Sequence, residues 1–302
     1  MESDSRVCRE LDFLLPDSAA NKRAADFLRR EHGFSYSSIV RMRHEPTSLL
    51  LNGEPIRTID RLRPGAVLTV RIFDSAGFEE PRPDLSVPVI YEDDDIIVFD
   101  KPSGMACHTA KGHPNDTLAN FYASRCPGTK FRVLGRLDMY TSGLVLAAKN
   151  ARAAQALTDS AILKEYVAVL CGCPSSPDGT IDAPIDDRDP EVRRRSVSDS
   201  GRAAITHYST IDNANGYTLV LATPETGRTH QLRVHFSYVG APLAGDELYG
   251  GNCEYISRQA LHRRRLAFLH PVTGRALEFV SKLPPDILKL MELTGLSNIR
   301  QF

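Results

Sequence analysis

The chain has 302 residues, 42% of them hydrophobic and 25% charged, and a formal net charge of −1. This is the composition of a globular protein with one large or two smaller domains, and it excludes a disordered or generally polybasic chain. The longest apolar run, Tyr166–Cys171, is too short to cross a bilayer, and the N-terminus lacks the pattern of a secretory signal. Six scattered cysteines without a Cys-x-x-Cys pair favour the reducing cytoplasm over a disulfide framework or a zinc site.

The first 76 residues are predicted to form a small α+β unit. Helical spacing covers Lys22–Glu31, and a second short helix is predicted over Tyr36–Met42. Leu49–Leu51 then runs into an Asn-Gly turn, which is typical of a hairpin, and Val67–Ile72 alternates as a strand does. The stretch Phe73–Pro88 contains three prolines and is interpreted as a linker, with the domain boundary placed at residues 77–88.

This unit resembles the small RNA-binding domain of the ribosomal-protein S-four type, which has two helices followed by a hairpin-rich strand region. The resemblance in the strand region is carried by LLLNGEPI and DRLRPGAVLTVRI. The resemblance implies that residues 1–76 bind RNA. The helices supply candidate groups for binding phosphate, which are Arg29, Arg30, Arg41 and Arg43.

Residues 89–302 are predicted to form a second domain in which strands dominate. The predicted strands are Ile90–Tyr91, Ile96–Phe99, Gly143–Ala148, Tyr166–Cys171, Ala203–Ile211, Tyr217–Thr223 and Arg275–Val280. The predicted helices are Asn150–Leu163 and Thr229–Val239.

Two stretches of this domain carry the residues best suited to chemistry. In VLGRLDMYTSGLVLAAK, Arg136 and Asp138 are two apart and would share a strand face at the rim of a cleft, although Asp138 could instead cap a turn. In TGRTHQLRVHF, several polar donors open a helix where an anion could bind. A metal held by His230 and His235 is disfavoured, because a five-residue spacing does not align two ligands on one helix face.

Charge is concentrated in the same region. From Gly227 to Arg275 there are seven arginines and three acidic residues, a local charge of +4, and Arg263–Arg265 are consecutive. Such a basic region is expected of a protein that binds a phosphate backbone, but solvated surface arginines give the same pattern.

Five ordered blocks resemble the RluA-type family of RNA pseudouridine synthases over roughly residues 89–285. The signature Arg-Leu-Asp-x-x-Thr-Ser-Gly-Leu stands at Arg136–Leu144, and the late motif stands in two parts at Gly227–His235 and Gly240–Gly250. Further family blocks stand at Asp100–His108, Lys164–Gly172 and Arg258–Gly274. The resemblance implies an α+β catalytic fold with a central mixed, mostly antiparallel sheet flanked by helices and loops.

The resemblance also implies roles for individual residues. Asp138 would act on the ribose as a nucleophile or as a charge stabiliser, and Arg233 would pair with it and keep it ionised. Tyr166 would stack on the target uracil and could relay a proton, Arg136 would hold the extruded nucleotide, and Leu232 would pack on its base. Read without the family, Arg233 and Arg136 could instead bind phosphate, Tyr166 could be an ordinary strand aromatic, and Leu232 could be a core residue. Further substrate-binding groups are predicted from the donors at the helix start, which are Arg228, His230 and Gln231.

The predicted function is the isomerisation of specific uridines in structured RNA by a cytoplasmic monomer, with ribosomal RNA favoured over transfer RNA as the substrate. No cofactor is expected, because the reaction involves no redox change, and the sequence has no nucleotide-binding or metal-ligand motif. Two stretches depart from the family pattern. Gly135 stands where a histidine is usual, and Cys107 to Thr109 replace Val-His-Pro.

Two other functions compete with this prediction. A non-catalytic RNA-binding or ribosome-assembly factor could share the scaffold. A glycoside hydrolase would need a second carboxylate facing Asp138, and none of the matched blocks supplies one.

Overall fold

The computed structural model describes residues 6–74, 77–110, 112–186 and 194–297. The outermost residues of the predicted domains, including residues 75 and 76 at the end of the first, lie outside these ranges. Among the described residues, no helix combines the length and apolarity that a membrane crossing requires.

The N-terminal unit is a four-stranded antiparallel sheet covered by two helices. Its elements are β1 (Arg6–Leu14), α1 (Ala24–His32), α2 (Tyr36–His44), β2 (Leu49–Leu51), β3 (Glu54–Pro55) and β4 (Val67–Asp74). The strand order is β1-β4-β2-β3. Phe27 and Leu28 of α1 and Ile39 of α2 pack on Leu68 and Val70 of β4, so the two helices and the hairpin are where the sequence predicts them. The sequence did not predict β1, whose residues do not alternate regularly between charged and apolar and which forms by pairing with β4.

The segment from 77 to 88 is packed against the second unit. The backbone N–H of Arg82 donates to the carbonyl of Asn120, and the Asn120 side chain donates to the carbonyl of Glu80. Val87 is buried in the core of the second unit. Residues 77–88 are therefore held against the second unit by these contacts.

The second unit is built around a large mixed sheet. Its strands are β5 (Val89–Glu92), β6 (Ile96–Lys101), β7 (Arg132–Leu134), β8 (Ser142–Ala148), β9 (Leu163–Cys171), β10 (Asp178–Asp182), β11 (Ile185–Asp186), β12 (Ser196–Val197), β13 (Ile205–Ala214), β14 (Tyr217–Pro224), β15 (Leu261–Leu269) and β16 (Ala276–Val280). Its helices are α3 (Leu118–Arg125), α4 (Ala151–Thr158), α5 (Gln231–Tyr238) and α6 (Pro285–Thr294).

The order of strands in this sheet places β8, β15 and β9 at its centre. The order is β10-β13-β14-β9-β15-β8-β6-β5, with β16 beside β15 and β7 beside β8. The β8–β15 pair is parallel, and the other pairs are antiparallel. This confirms the predicted α+β class and the mostly antiparallel sheet. Every residue of β8 is buried, as its continuous apolar run predicts.

Several boundaries differ from the prediction. The helix predicted over Asn150–Leu163 ends at Thr158, because the chain from Leu163 joins the sheet as β9 and pairs with β15. The sequence did not predict β15 itself. Its three arginines break the alternation of polar and apolar residues, and its strand conformation comes from the neighbours on both sides.

Candidate active site

A cleft of about 380 Å³ opens above the central strands. One wall is the turn between β7 and β8, and the other is the loop and first residues of α5, with β9 and β15 below. The lining includes all eight residues that the sequence predicts for the site, which are Asp138, Tyr166, Arg233, Arg136, Leu232, Arg228, His230 and Gln231. The fold therefore brings together side chains that lie up to 97 positions apart in the sequence.

The turn that carries Asp138 is held from below by buried groups. The Lys101 ammonium donates to the carbonyls of Pro102, Met105 and Met139, and burial lowers its pKa to about 8. The thiol of Cys107 donates to the Leu137 carbonyl and accepts from the Leu137 N–H. Cys107, one of the departures from the family pattern, thus fixes the residue next to Asp138.

The glycine of the Thr-Ser-Gly turn is required by a close approach of two strands. Gly143 has φ +110°, and a Cβ there would lie 2.3 Å from the carbonyl oxygen of Arg263 on the parallel strand. The turn can therefore deliver the chain from Asp138 directly into the buried strand β8 only with glycine at this position.

The tight partner of Arg233 is Asp246 rather than Asp138. Nε and Nη2 of Arg233 donate to the two carboxylate oxygens of Asp246 at 2.6 and 2.7 Å. The remaining nitrogen, Nη1, points to Asp138 Oδ2 at 3.5 Å. Arg233 thus faces Asp138 as predicted, but Asp246 sets its orientation. The sequence analysis missed Asp246, although the residue stands in the family motif at Gly240–Gly250.

His230 is held in a strained conformation at the start of α5. Its φ is +59°, which is uncommon for a residue with a side chain. The Tyr249 hydroxyl accepts from the Arg195 N–H and shares a hydrogen bond with His230 Nδ1 at 3.0 Å. The other ring nitrogen, Nε2, lies 4.0 Å from Asp138 Oδ2. Burial lowers the pKa of His230, so the ring is neutral at pH 7.

Tyr166 is buried on β9 with its hydroxyl against Arg263 of β15. Nε and Nη2 of Arg263 both donate to this hydroxyl, the first at 2.8 Å. Burial raises the pKa of Tyr166, so the phenol keeps its proton at neutral pH. Arg263 also donates to the carbonyls of Gly135 and Leu144, which places a buried guanidinium at the base of the cleft.

The other predicted residues occupy different parts of the cleft. Arg136 lies exposed at the rim, and Leu232 is buried in the lining. Arg228 donates from Nε to the Ala203 carbonyl. The amide of Gln231 accepts from Thr226 Oγ1 and the Arg228 N–H and donates to Ile205 and Thr206, so in this structure its hydrogen bonds go to the protein.

The arginine triplet is not the free basic surface that its sequence suggests. Arg263 is buried below the cleft, Arg264 pairs with Glu165 at 3.1 Å, and Arg265 pairs with Glu278 at 2.9 Å. The sequence could not indicate this, because the acidic partners come from the neighbouring strands β9 and β16.

A metal ion has no donor set among the described residues of the cleft. His235 is buried and hydrogen-bonded to Thr206 and to the Ala183 carbonyl. Across the part of the chain that the structure describes, the cluster that could hold a metal is Asp93, Asp95 and His270, outside the cleft lining. There His270 contacts Asp93 at 2.9 Å and Asp95 accepts from Arg9 and Asn150, so protein groups already occupy the carboxylates. We assign no metal to it.

The arrangement supplies one available carboxylate among fixed cations. Of the described residues that line the cleft, Asp138 is the one with a carboxylate, and its side chain is 27% exposed. The guanidinium of Arg233 lies beside it, with Nη1 at 3.5 Å from Asp138 Oδ2. Such a carboxylate can attack or stabilise an electron-poor carbon, but acid–base catalysis by two facing carboxylates has no second acid among these lining residues.

Comparison with known proteins identifies related sequences along nearly the whole chain. A family model described as RNA pseudouridylate synthase matches residues 95–238. RNA pseudouridine synthase YlyB of Bacillus subtilis is 33% identical over 94% of this chain and 97% of its own length. Ribosomal large subunit pseudouridine synthase D is 34% identical in Xanthomonas campestris, over 92% of this chain and 90% of the relative. The protein of that name in Pseudomonas aeruginosa is also 34% identical, over 81% and 83%.

Two solved structures share the fold. Human RNA pseudouridylate synthase domain containing 1 aligns with a TM-score of 0.55 and 26% identity, covering 73% of this chain and 90% of that one. Human RNA pseudouridylate synthase domain containing 4 aligns with a TM-score of 0.54 and 21% identity, covering 69% and 93%.

Proposed function

The chain belongs to the RNA pseudouridylate synthase family and is an isomerase that acts on RNA, and on that premise we propose that Asp138 is its nucleophile toward a flipped-out uridine. The observation that carries the proposal is the position of Asp138. Its carboxylate is the available one among the described residues of the cleft, it faces Arg233 Nη1 at 3.5 Å, and the turn that holds it is fixed by Lys101 and Cys107.

The proposed reaction replaces the C1′–N1 bond between ribose and uracil with a C1′–C5 bond. A carboxylate oxygen of Asp138 bonds to C1′ as the C1′–N1 bond breaks, and the electron pair of that bond leaves with the uracil. The uracil turns within the cleft, and its C5 bonds to C1′ while the bond to Asp138 breaks. The proton lost from C5 and the proton gained at N1 balance, so no cofactor is consumed. The buried hydroxyl of Tyr166 is the proposed proton relay, and its ring is the proposed stacking surface for the base.

The remaining side chains of the cleft are assigned to holding the nucleotide. Leu232 offers an apolar surface to the turned base, while Arg136 and Arg228 at the rim offer guanidinium groups to the phosphates. His230 faces Asp138 with Nε2, and Gln231 fixes the loop that carries Arg228. Extruding the uridine from its stack costs a few kcal/mol, which these interactions offset.

We propose ribosomal RNA as the substrate class and the N-terminal unit as a second RNA-binding domain of the S-four type. The names of the relatives from Xanthomonas and Pseudomonas support ribosomal RNA. Four arginines on α1 and α2 are exposed and support RNA binding, and these are Arg29, Arg30, Arg41 and Arg43. That the enzyme acts as a cytoplasmic monomer stays a prediction.

The test is tritium release from RNA made with uridine labelled at C5, since that position loses its hydrogen when C5 bonds to C1′. Ribosomal RNA from cells that lack the gene is the substrate. The target position is the one that carries pseudouridine in wild-type cells and uridine in these cells. Asp138→Asn should abolish release while leaving RNA binding near wild type, because the amide keeps the shape and loses the charge. Asp159→Asn, on an exposed carboxylate, is the matched control. Residual turnover above a few per cent would remove Asp138 from the reaction, and wild-type protein that binds RNA without releasing tritium would favour a non-catalytic factor.

A further inference from the structure

Lys164 is a half-buried cation that the proposed reaction does not use. It lies on β9 two residues before Tyr166, so the alternation of the strand directs both side chains to the cleft, and Lys164 is part of the lining. Across the described residues, its ammonium makes no hydrogen bond or ion pair, whereas Glu165 on the opposite face of the strand pairs with Arg264. Burial and the nearby Arg263 lower the pKa of Lys164, and no carboxylate among the described residues offsets them.

A cation in this environment lacks the partner that buried charges normally have. Taking an ammonium out of water costs free energy unless an anion or several acceptors replace the water. The neighbouring Lys101 shows the usual solution, with three carbonyl acceptors around its ammonium. Lys164 lines the cleft without such acceptors among the described residues, so its ammonium is available to an anionic ligand.

Gly135 lies beside the end of the Lys164 side chain. Its φ is +78°, and a Cβ there would lie 3.2 Å from Lys164 Cε and 3.4 Å from Nζ. The distance to Cε is tighter than an ordinary van der Waals contact, so a side chain at 135 would require the end of Lys164 to shift. The glycine that departs from the family pattern therefore leaves room for the lysine to lie across the backbone at the cleft edge.

Lys164 also stands where the cleft meets a second groove. This groove is lined by residues from β7, from the loop between α4 and β9, and from the end of β14, and Gly135, Lys164 and Pro224 line both cavities. Its other lining residues are uncharged apart from Glu225, which contacts His207 at 2.6 Å. An RNA strand with one nucleotide in the cleft has to continue beyond it, and this groove is an adjoining path that leads past the Lys164 ammonium.

We propose that the Lys164 ammonium binds a backbone phosphate next to the target uridine, where the RNA strand passes from the cleft into this groove. The inference rests on the proposed function, since it assumes a flipped uridine at Asp138. It assigns to Lys164 a substrate-binding role distinct from the chemical step.

The experiment compares Lys164→Gln, which removes the charge at similar length, with Lys164→Arg, which keeps it. The RNA is a synthetic fragment that contains the target uridine, which is the position left unmodified in cells that lack the gene. Lys164→Gln should raise KM roughly tenfold, as expected when one charge-assisted hydrogen bond is removed, and leave kcat within about twofold. The log–log salt dependence of binding should become shallower by about one unit. Lys164→Arg should restore KM, and Lys289→Gln, on the exposed surface of α6, should match wild type.

A second arm identifies the phosphate that Lys164 binds. The fragment is made with a neutral methylphosphonate at each flanking phosphate in turn. At one position, wild type and Lys164→Gln should bind equally, because the modified RNA no longer offers the charge that Lys164 binds. If Lys164→Gln has the wild-type KM, or if its defect is the same on every modified RNA, the phosphate assignment is wrong. Wild-type protein that makes no pseudouridine would instead refute the proposed function, so the two failures are distinguishable.

Discussion

At the scale of single residues, the site depends on groups that orient the proposed catalytic side chains. Arg233 is fixed by two short bonds to Asp246, and it reaches Asp138 with the nitrogen that is left over. Tyr166 is fixed by Arg263 in a similar way. In both pairs the orienting residue comes from another segment of the chain, and a reactive geometry depends on such support because a displacement of about 1 Å can cost roughly 100-fold in rate.

Replacing Asp246 should therefore impair catalysis although the residue is not proposed to touch the substrate. Asp246→Asn removes the charge and one of two strong acceptors, so Arg233 can rotate away from Asp138. We expect kcat to fall by roughly 100-fold, measured as tritium release by protein that is shown to be folded. Asp84→Asn is the matched control, because Asp84 holds Arg82 in the same two-bond geometry at an exposed site. Equal rates for Asp246→Asn and wild type would mean that Asp246 does not set the position of Arg233.

The two proposed roles of Tyr166 can be separated by one substitution. Tyr166→Phe keeps the ring for stacking and removes the hydroxyl that Arg263 contacts. Wild-type RNA affinity with a fall in kcat of about 100-fold or more would support proton relay. If neither quantity changes, stacking is the sole role. Tyr122→Phe removes a buried hydroxyl outside the cleft lining and controls for reduced stability.

At the scale of elements, the parallel pair β8–β15 carries a buried histidine below the site. His262 contacts Ser142 Oγ at 2.9 Å across the pair, and the two residues are in register. Arg258, near the start of β15, donates to the Tyr140 carbonyl in the Asp138 turn and pairs with Asp286 of α6. The turn is therefore tied to the centre of the sheet and to α6.

This histidine should make the fold sensitive to acid. Burial, and secondarily the Arg258 guanidinium, lower the pKa of His262 to about 4. The unfolded chain binds this proton near pH 6.5 and the folded chain only near pH 4, so the free energy of unfolding falls as the pH drops through that interval. Between pH 7 and pH 5, wild type should lose about 2 kcal/mol more than His262→Gln, measured by urea unfolding. His44→Gln, on the exposed surface of α2, should lose as much free energy of unfolding as wild type over this interval. If His262→Gln loses as much as wild type too, the acid sensitivity does not come from His262.

At the scale of the whole molecule, the two units contact each other through several charged pairs. Arg9 of β1 pairs with Asp94 and Asp95, and Asp74 pairs with Arg132 at 2.6 Å. Arg152 of α4 lies over the ring of Phe34. The N-terminal unit is thus packed on the catalytic unit, and deleting residues 1–76 would remove these interactions together with any RNA-binding surface.

A test of RNA binding by the N-terminal unit should spare those interactions. Replacing Arg29, Arg30, Arg41 and Arg43 together by glutamine changes only exposed side chains, so the melting temperature should stay within a few degrees of wild type. RNA affinity should fall, and the log–log salt slope should become shallower by about one unit for each phosphate that is no longer bound. The maximal rate at saturating RNA should be unchanged, and the same four positions changed to lysine should keep most of the affinity. If the salt slope is unchanged, the N-terminal unit does not bind RNA through these arginines.

The sequence by itself determined the family, the α+β class and the segments that meet in the cleft. Its local patterns were sufficient where a segment's structure depends on its own residues, as in α1, α2 and the buried run of β8. The motifs at Arg136–Leu144 and Gly227–His235 likewise indicated Asp138 and Arg233, because each motif carries the residues of one wall.

Only the tertiary structure decided how charged residues are partnered. Local sequence could not show that Arg233 is held by Asp246, that Arg263 lies under Tyr166, or that Lys164 has no partner among the described residues. Nor could it predict β1 or β15, whose strand conformation depends on hydrogen bonds to strands far along the chain. The reason is that the ion pair of a charged residue and the hydrogen-bonding partner of a strand both depend on residues that folding brings close. Three consecutive arginines have the same local pattern whether or not carboxylates lie opposite them.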